Sequence, residues 1–253
     1  MKESDRHIQA VSRALEVLTS FDRDIPLRLK ELHARTGQAR SGLIRVLGTL
    51  ESHGFVRFDP ATGAYELGSV VHRLGALLNE RFSRIDQIVR PVLARLVSET
   101  SDTAFLSAVE GLRRVVLIAE ESQEALRFTA REGQSRPLHL GASSKILLAW
   151  ADPDTREKAM ELVEPENRDA LSKDLAGIVA KGFAVSEGEI TPYGFAISVP
   201  VRHRGSSRVD SISLAGVLSK LTPALIDSHV ERLRREAAYL EKSLPSNSDG
   251  MDR

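Results

Sequence analysis

Two apolar helical stripes separated by one glycine constrain this chain more than any other feature. In Leu29-Lys30-Glu31-Leu32-His33-Ala34-Arg35-Thr36-Gly37, Leu29 and Leu32 share one face of a helix. Gly37 then ends it, because glycine accepts the left-handed backbone of a sharp turn. A second helix is expected from about Arg40 to His53, with Leu43, Val46, Leu47 and Leu50 at i, i+3, i+4 and i+7. Arg40, Ser41 and Arg45 lie off that stripe, on the side free to reach a DNA major groove. Gly54 closes the helix. Phe55-Val56-Arg57-Phe58 and Ala64-Tyr65-Glu66-Leu67 read as two short strands around the turn-rich Asp59-Pro60-Ala61-Thr62-Gly63. The stretch from Leu27 to Leu67 is therefore expected to be a winged helix-turn-helix.

A helix pair used only for packing needs no particular charge, so charge separates the two uses. Residues 28–57 hold Arg28, Lys30, Arg35, Arg40, Arg45 and Arg57 against only Glu31 and Glu51. The whole chain balances 35 basic against 35 acidic side chains, so the excess is local. A local basic surface is what phosphate binding requires. Double-stranded DNA is the expected partner, with Arg28, Gln38, Arg40, Ser41, Arg45 and Arg57 as candidate contacts.

The 253 residues, 42% of them hydrophobic, suffice for two modest domains. The absence of cysteine excludes disulfides, thiolate metal sites and a cysteine nucleophile. Met1-Lys2-Glu3-Ser4-Asp5-Arg6 is charged with no apolar run behind it, and apolar stretches such as Ile146 to Ala151 are too short to span a bilayer. These features predict a cytoplasmic protein without a membrane partner.

Residues 1–68 are read as the DNA-binding domain, opened by a helix near Ile8 to Phe21 that docks through Val11, Leu15 and Leu18. Residues 69–84 form a linker helix, rich enough in leucine to serve a second subunit or its own chain. Residues 85–244 are an α+β domain. Its expected order is a helix containing Pro91, strands at 103–109, 113–119 and 126–130, and a helix from Ser143 with Ser143 as its N-cap. Helices at 154–163 and 168–181, strands at 183–186, 196–202 and 209–215, and a helix at 223–244 follow. Residues 245–253 read as a disordered tail.

Catalytic chemistry has little support. The seven histidines are scattered, with none three or four residues from another, so no metal site is expected. Ser144 and Lys145 are adjacent on a helix and point about 100° apart, which rules out a serine–lysine dyad. No glycine-rich phosphate loop follows a strand, so no cofactor is expected. The alternative reading is an enzyme or chemical-sensor module with an accessory helix-turn-helix, using Arg136, Ser143 and Glu187.

Several separated segments resemble the IclR-type bacterial transcriptional regulators, over about Ile8 to Ala238. They are Arg13-Ala14-Leu15-Glu16-Val17-Leu18, the stretch from Leu43 to Val56, and Tyr65-Glu66-Leu67-Gly68 in the N-terminal part. Further on come Arg136-Pro137-Leu138-His139 with Ala142-Ser143-Ser144-Lys145-Ile146-Leu147-Leu148-Ala149, Lys181 to Glu189, and Ile197-Ser198-Val199-Pro200-Val201. Six segments in order make the resemblance specific.

The resemblance implies a C-terminal effector-binding domain of GAF-like α/β form with an antiparallel sheet. It implies a homodimer or dimer of dimers on paired operator half-sites, and control of genes for small-molecule catabolism. Matching segment to segment places Phe128, Arg136, Ala142, Ser143, Ser186, Ala196 and Ser213 at the effector. The helix start at Ala142-Ser143 offers free N–H groups to an anion, so the expected effector is an organic or aromatic carboxylate. Four positions depart from the family's pattern. Ser144 replaces the family's usual glycine and narrows the pocket floor. Ser186 and Ala196 stand where some members carry an acid and a cysteine. Gly42 replaces a larger residue in the recognition helix.

Overall fold

The computed structural model describes residues 8–21 and 25–245; of these, the side chains of residues 78–82 are left undescribed. The expected disordered tail, apart from Pro245, lies outside the described residues. The chain divides into two compact units, Met1–Ser83 and Arg84–Arg253.

In the first unit, α1 (Gln9–Thr19) precedes β1 (Leu27–Arg28), α2 (Leu29–Thr36) and α3 (Arg40–Ser52). Then come β2 (Val56–Asp59), β3 (Ala64–Leu67) and the first turns of α4 (Ser69–Thr100). Gly37 ends α2 with a φ of 67°, as the turn demands. Leu32, Leu43, Leu47 and Leu50 are buried with Val17, Leu27 and Val56 in one core. The face of α1 is a correction: Val11 and Leu15 are 52% and 55% exposed, while Val17 is fully buried. Ala14, Leu18 and Phe21 pack beside Val17. Two apolar stripes run along this short helix, and only contact with α3 decides which is inside.

The wing is a three-stranded antiparallel sheet in the order β1-β3-β2. Strand β1, which no periodicity announces in two residues, pairs Leu27 with Tyr65. The join between α3 and α4 is tight. Gly68 N–H donates to Phe55 O at 2.8 Å, and Val70 N–H to Gly54 O at 3.2 Å. A Cβ on Gly68 would lie 2.1 Å from Gly54 O, so only glycine fits.

Helix α4 differs from expectation, since one 32-residue helix replaces the two predicted around residue 84. Pro91 lies inside it; proline removes a single backbone donor, and the flanking turns carry the helix through.

The second unit adds β4 (Thr103–Glu110), β5 (Arg113–Glu120), β6 (Ser135–Pro137), α5 (Ala142–Ala149), α6 (Pro153–Glu161) and α7 (Pro165–Lys181). It closes with β7 (Ala184–Glu187), β8 (Gly194–Arg202), β9 (Val209–Val217) and α8 (Pro223–Ser243). The six strands lie in the order β6-β5-β4-β9-β8-β7, every neighbouring pair antiparallel. Period-two alternation sorts their side chains onto two faces. On one face, Leu106, Ile197, Val199, Ile212 and Leu214 pack with Val92, Leu93 and Leu96 of α4 and Val230, Leu233 and Leu240 of α8. On the other, α5 crosses small residues of β8 and β9, and Ile146, Leu147 and Leu148 pack with Leu175 and Ile178 of α7.

The strand expected at Leu126–Ala130 is absent. Leu126 is 72% exposed, and the segment is instead held by Thr103, whose Oγ1 donates to Phe128 O at 2.6 Å. The strand beside β5 is β6, three residues too short to show a pattern. It pairs Arg113, Arg114 and Val115 with Pro137, Arg136 and Ser135.

Candidate functional site

Two surfaces carry the residues singled out by the sequence, one in each unit. On α3 the buried leucines face the core, and Arg40, Ser41, Ile44, Arg45, Gly48 and Thr49 lie on the exposed side. Among the described residues no acid pairs with Arg40 or Arg45. The other candidates are more engaged. Gln38 is turned toward α1, donating through Nε2 to Arg13 O at 3.0 Å and to Glu16 Oε2 at 2.8 Å. It braces the turn before α3. Arg28 is exposed just before α2, and its backbone N–H donates to Glu31 Oε2 at 2.7 Å. Arg57, on the wing, donates to its cross-strand neighbour Glu66 at 2.6 Å, and that carboxylate raises the guanidinium pKa above its ordinary value.

The second surface is a pocket between the sheet and the start of α5. Phe128, Arg136, Ala142, Ser143, Ser186 and Ala196 all line it, and Ser213 does not. Ser213 is buried in β9, its hydroxyl 2.7 Å from that of Ser198, so it supports the sheet behind the pocket. Phe105, Phe128 and Ala130 supply apolar wall, and the free space is about 40 Å³, room for only a few waters.

The role of Ser143 as N-cap needs correction. Helix α5 is capped two residues earlier, with Gly141 at the N-cap in a positive-φ conformation. Ser143 lies inside the first turn, with its hydroxyl 2.6 Å from Ser211 Oγ. Glu189 attends the helix end instead: its Oε2 accepts the Gly141 N–H at 3.0 Å, and its Oε1 accepts from Lys145 Nζ at 2.7 Å. Lys145 also pairs with Asp174 at 3.0 Å. Burial works against the lysine charge, but the Glu189 and Asp174 carboxylates outweigh it and hold its pKa above the usual value.

Sequence reasoning missed one prominent lining residue, Arg114. It stands opposite Arg136 in the β5–β6 register and is 7% exposed. Its guanidinium sits 5.7 Å from the centre of the Phe105 ring, with Nη1 3.4 Å from Ser107 Oγ. Burial, and then the charge of Arg136, push its pKa down to about 10. The Nε atoms of Arg114 and Arg136 and the hydroxyl of Ser144 are all buried without a hydrogen-bond partner. The signal was a charged residue in a strand whose neighbours alternate inward.

A catalytic trio does not assemble. Ser143 is bonded to Ser211, and Glu187 is exposed at the end of β7, outside the pocket lining. Among the described residues no group of three or more histidines and acids is placed to hold a metal, and no helix is long and apolar enough to cross a membrane.

Known proteins place this arrangement. The HTH-type transcriptional regulator BhcR of Paracoccus denitrificans is 29% identical, the match covering 99% of this chain and 92% of that protein. An IclR family transcriptional regulator from Brucella abortus superposes with a TM-score of 0.76 at 23% identity, over 96% of this chain and 95% of its own. An IclR homolog from Microbacterium hydrocarbonoxydans, solved with 4-hydroxybenzoate, gives 0.73 at 24% identity, over 93% and 99%. Both structural likenesses speak to the fold. Residues 10–60 match the IclR helix-turn-helix domain and residues 82–241 match the bacterial transcriptional regulator IclR C-terminal domain: the chain belongs to the IclR family of DNA-binding transcriptional regulators with a ligand-binding C-terminal domain.

Proposed function

We propose that this protein is an effector-responsive transcription factor that reads operator DNA through α3 and senses a small organic acid in the pocket at α5. The observation that carries the reading is the exposed face of α3, where among the described residues no acid pairs with Arg40 or Arg45 while the opposite face is locked into the core. Arginines so placed reach base edges in a major groove, and Arg28 and Arg57 lie where phosphates flank a docked helix. Each chain has one such helix, and paired half-sites need two about 34 Å apart or a multiple of it. A dimer or a dimer of dimers is the working form.

The effector is an anion because Arg136 and the first turn of α5 converge on the same space, and helix N-termini attract negative charge. Phe128 and Ala196 give it a carbon skeleton to pack on. The complex of the Microbacterium hydrocarbonoxydans homolog with 4-hydroxybenzoate supports an organic acid. A mobility-shift assay on the DNA upstream of the protein's own gene tests the DNA reading. Arg40→Ala and Arg45→Ala each cost about 1–3 kcal/mol of operator affinity, with the melting temperature unchanged. Undiminished binding by the double variant overturns the assignment of α3.

A further inference from the structure

The pocket holds more positive charge than a simple acid requires. Three charged side chains line it: Arg114, Arg136 and Glu189. Glu189 is already committed, bonded to Lys145 and to the Gly141 N–H. That leaves two guanidinium groups side by side on adjacent strands, with no carboxylate among the described residues against either. Like charges brought together in a largely buried site are costly unless something neutralises them. Their two Nε atoms are buried and unpartnered, and so is the Ser144 hydroxyl, which lines the same pocket from α5. Orphaned buried donors are uncommon in folded proteins and call for a specific explanation. Here three converge on one small space.

We propose that the effector is a dianion, a compact dicarboxylic acid whose two carboxylates are matched to Arg114 and Arg136. This rests on the effector reading above and narrows it. A monocarboxylate neutralises one guanidinium and leaves the other without a counter-charge. Two carboxylates answer both, through the charge-assisted, geometrically specific pairs that arginine forms with carboxylate. Ser144 and the first turn of α5 then donate to oxygens the arginines leave open. Two arginines on separate strands, with neutral donors on a third element, suit two separated carboxylates better than one compact phosphate. The apolar wall of Phe105, Phe128 and Ala130 takes the carbon chain between them once the arginine side chains draw apart, since the free space of about 40 Å³ holds only a few waters.

The test uses the full chain and two matched series, from malonate to adipate and from propionate to hexanoate, with inorganic phosphate and glycerol phosphate as further arms. Calorimetric titration and thermal shift are read for each. At least one dicarboxylate is expected to bind tenfold or more tightly than the monocarboxylate of equal length, raising the melting temperature by several degrees at saturation. Arg114→Met is expected to bring the two series within about threefold of each other. Without ligand it should melt no earlier than the parent, since it removes a buried unpaired charge; if it does not fold, Arg136→Met takes its place. Equal binding of the two series by the parent overturns the dianion and leaves the organic-acid reading standing. Binding of phosphates alone overturns both, and binding of none of these anions overturns the dianion, while the operator assay still reports on DNA binding.

Discussion

Ser143 and Ser211 are held 2.6 Å apart and are 5% and 0% exposed. Removing one hydroxyl strands the other, and a stranded buried hydroxyl costs about 1–3 kcal/mol. Ser143→Ala is therefore expected to destabilise the protein by that amount, and Ser143→Ala with Ser211→Ala by less than the sum of the singles. Urea melts of the four proteins check this; strictly additive losses would contradict the pairing. The same scale shows where sequence reasoning ends. Ser143 was visible because it stands at a helix start within a recognisable segment. Arg114 was not, because Arg113-Arg114 reads as two surface charges on a strand until register decides which one points inward. The partner that decides it, Arg136, is 22 positions away and sits on a strand of three residues. The role of Glu189 was hidden for the same reason, since its bond to Gly141 spans 48 positions.

Elements with a long stripe were legible, and those defined by a partner were not. Helices α2 and α3 follow from their leucines and from Gly37, while β1 and β6 exist only as edges added to neighbouring strands. The fusion of two expected helices into α4 shows that a boundary read between two apolar patterns need not be a break in the helix. Glycines give a sharper test of element-level reasoning. Gly42 lies in α3 with nothing within 4 Å of where a Cβ would sit, so Gly42→Ala is expected to stabilise the first unit by about 0.5–1 kcal/mol. Gly68 has no such room, and Gly68→Ala is expected to lower the melting temperature and weaken operator binding with it. Thermal melts of both variants check the pair. A loss in the first or no change in the second would show that the packing around α3 is different.

For the whole molecule, one observation in the first unit bears on assembly. Ile8, Val11 and Leu15 are 71%, 52% and 55% exposed and follow one another at spacings of three and four along α1 and the residue before it. The core has taken the other side of this helix, through Val17. If the protein reads paired half-sites as proposed, this face is where a second copy of the chain is expected to dock. Light scattering at micromolar concentration is expected to give a dimer or a multiple of it. Val11→Glu with Leu15→Glu is expected to reduce that mass and weaken operator binding, although α3 is untouched. A monomeric parent, or a double variant of unchanged mass, would contradict this use of α1. The two-part organisation and the antiparallel sheet were legible because each unit carries its own hydrophobic pattern. Which stripe of α1 faces inward was not, because both are apolar.

The two backbone bonds that tie Gly68 and Val70 to the end of α3 have a mechanical consequence. The joint is closely packed, so the first turns of α4 and α3 are expected to move together. At 1.5 Å of rise per residue, the part of α4 up to Ser83 is roughly 20 Å long, and a tilt of about 5° displaces its far end by roughly 2 Å. Run in reverse, a push of that size at residue 83 turns α3 by the same few degrees. On the reading that Arg40 and Arg45 contact base edges, a shift of that size is enough to break those hydrogen bonds.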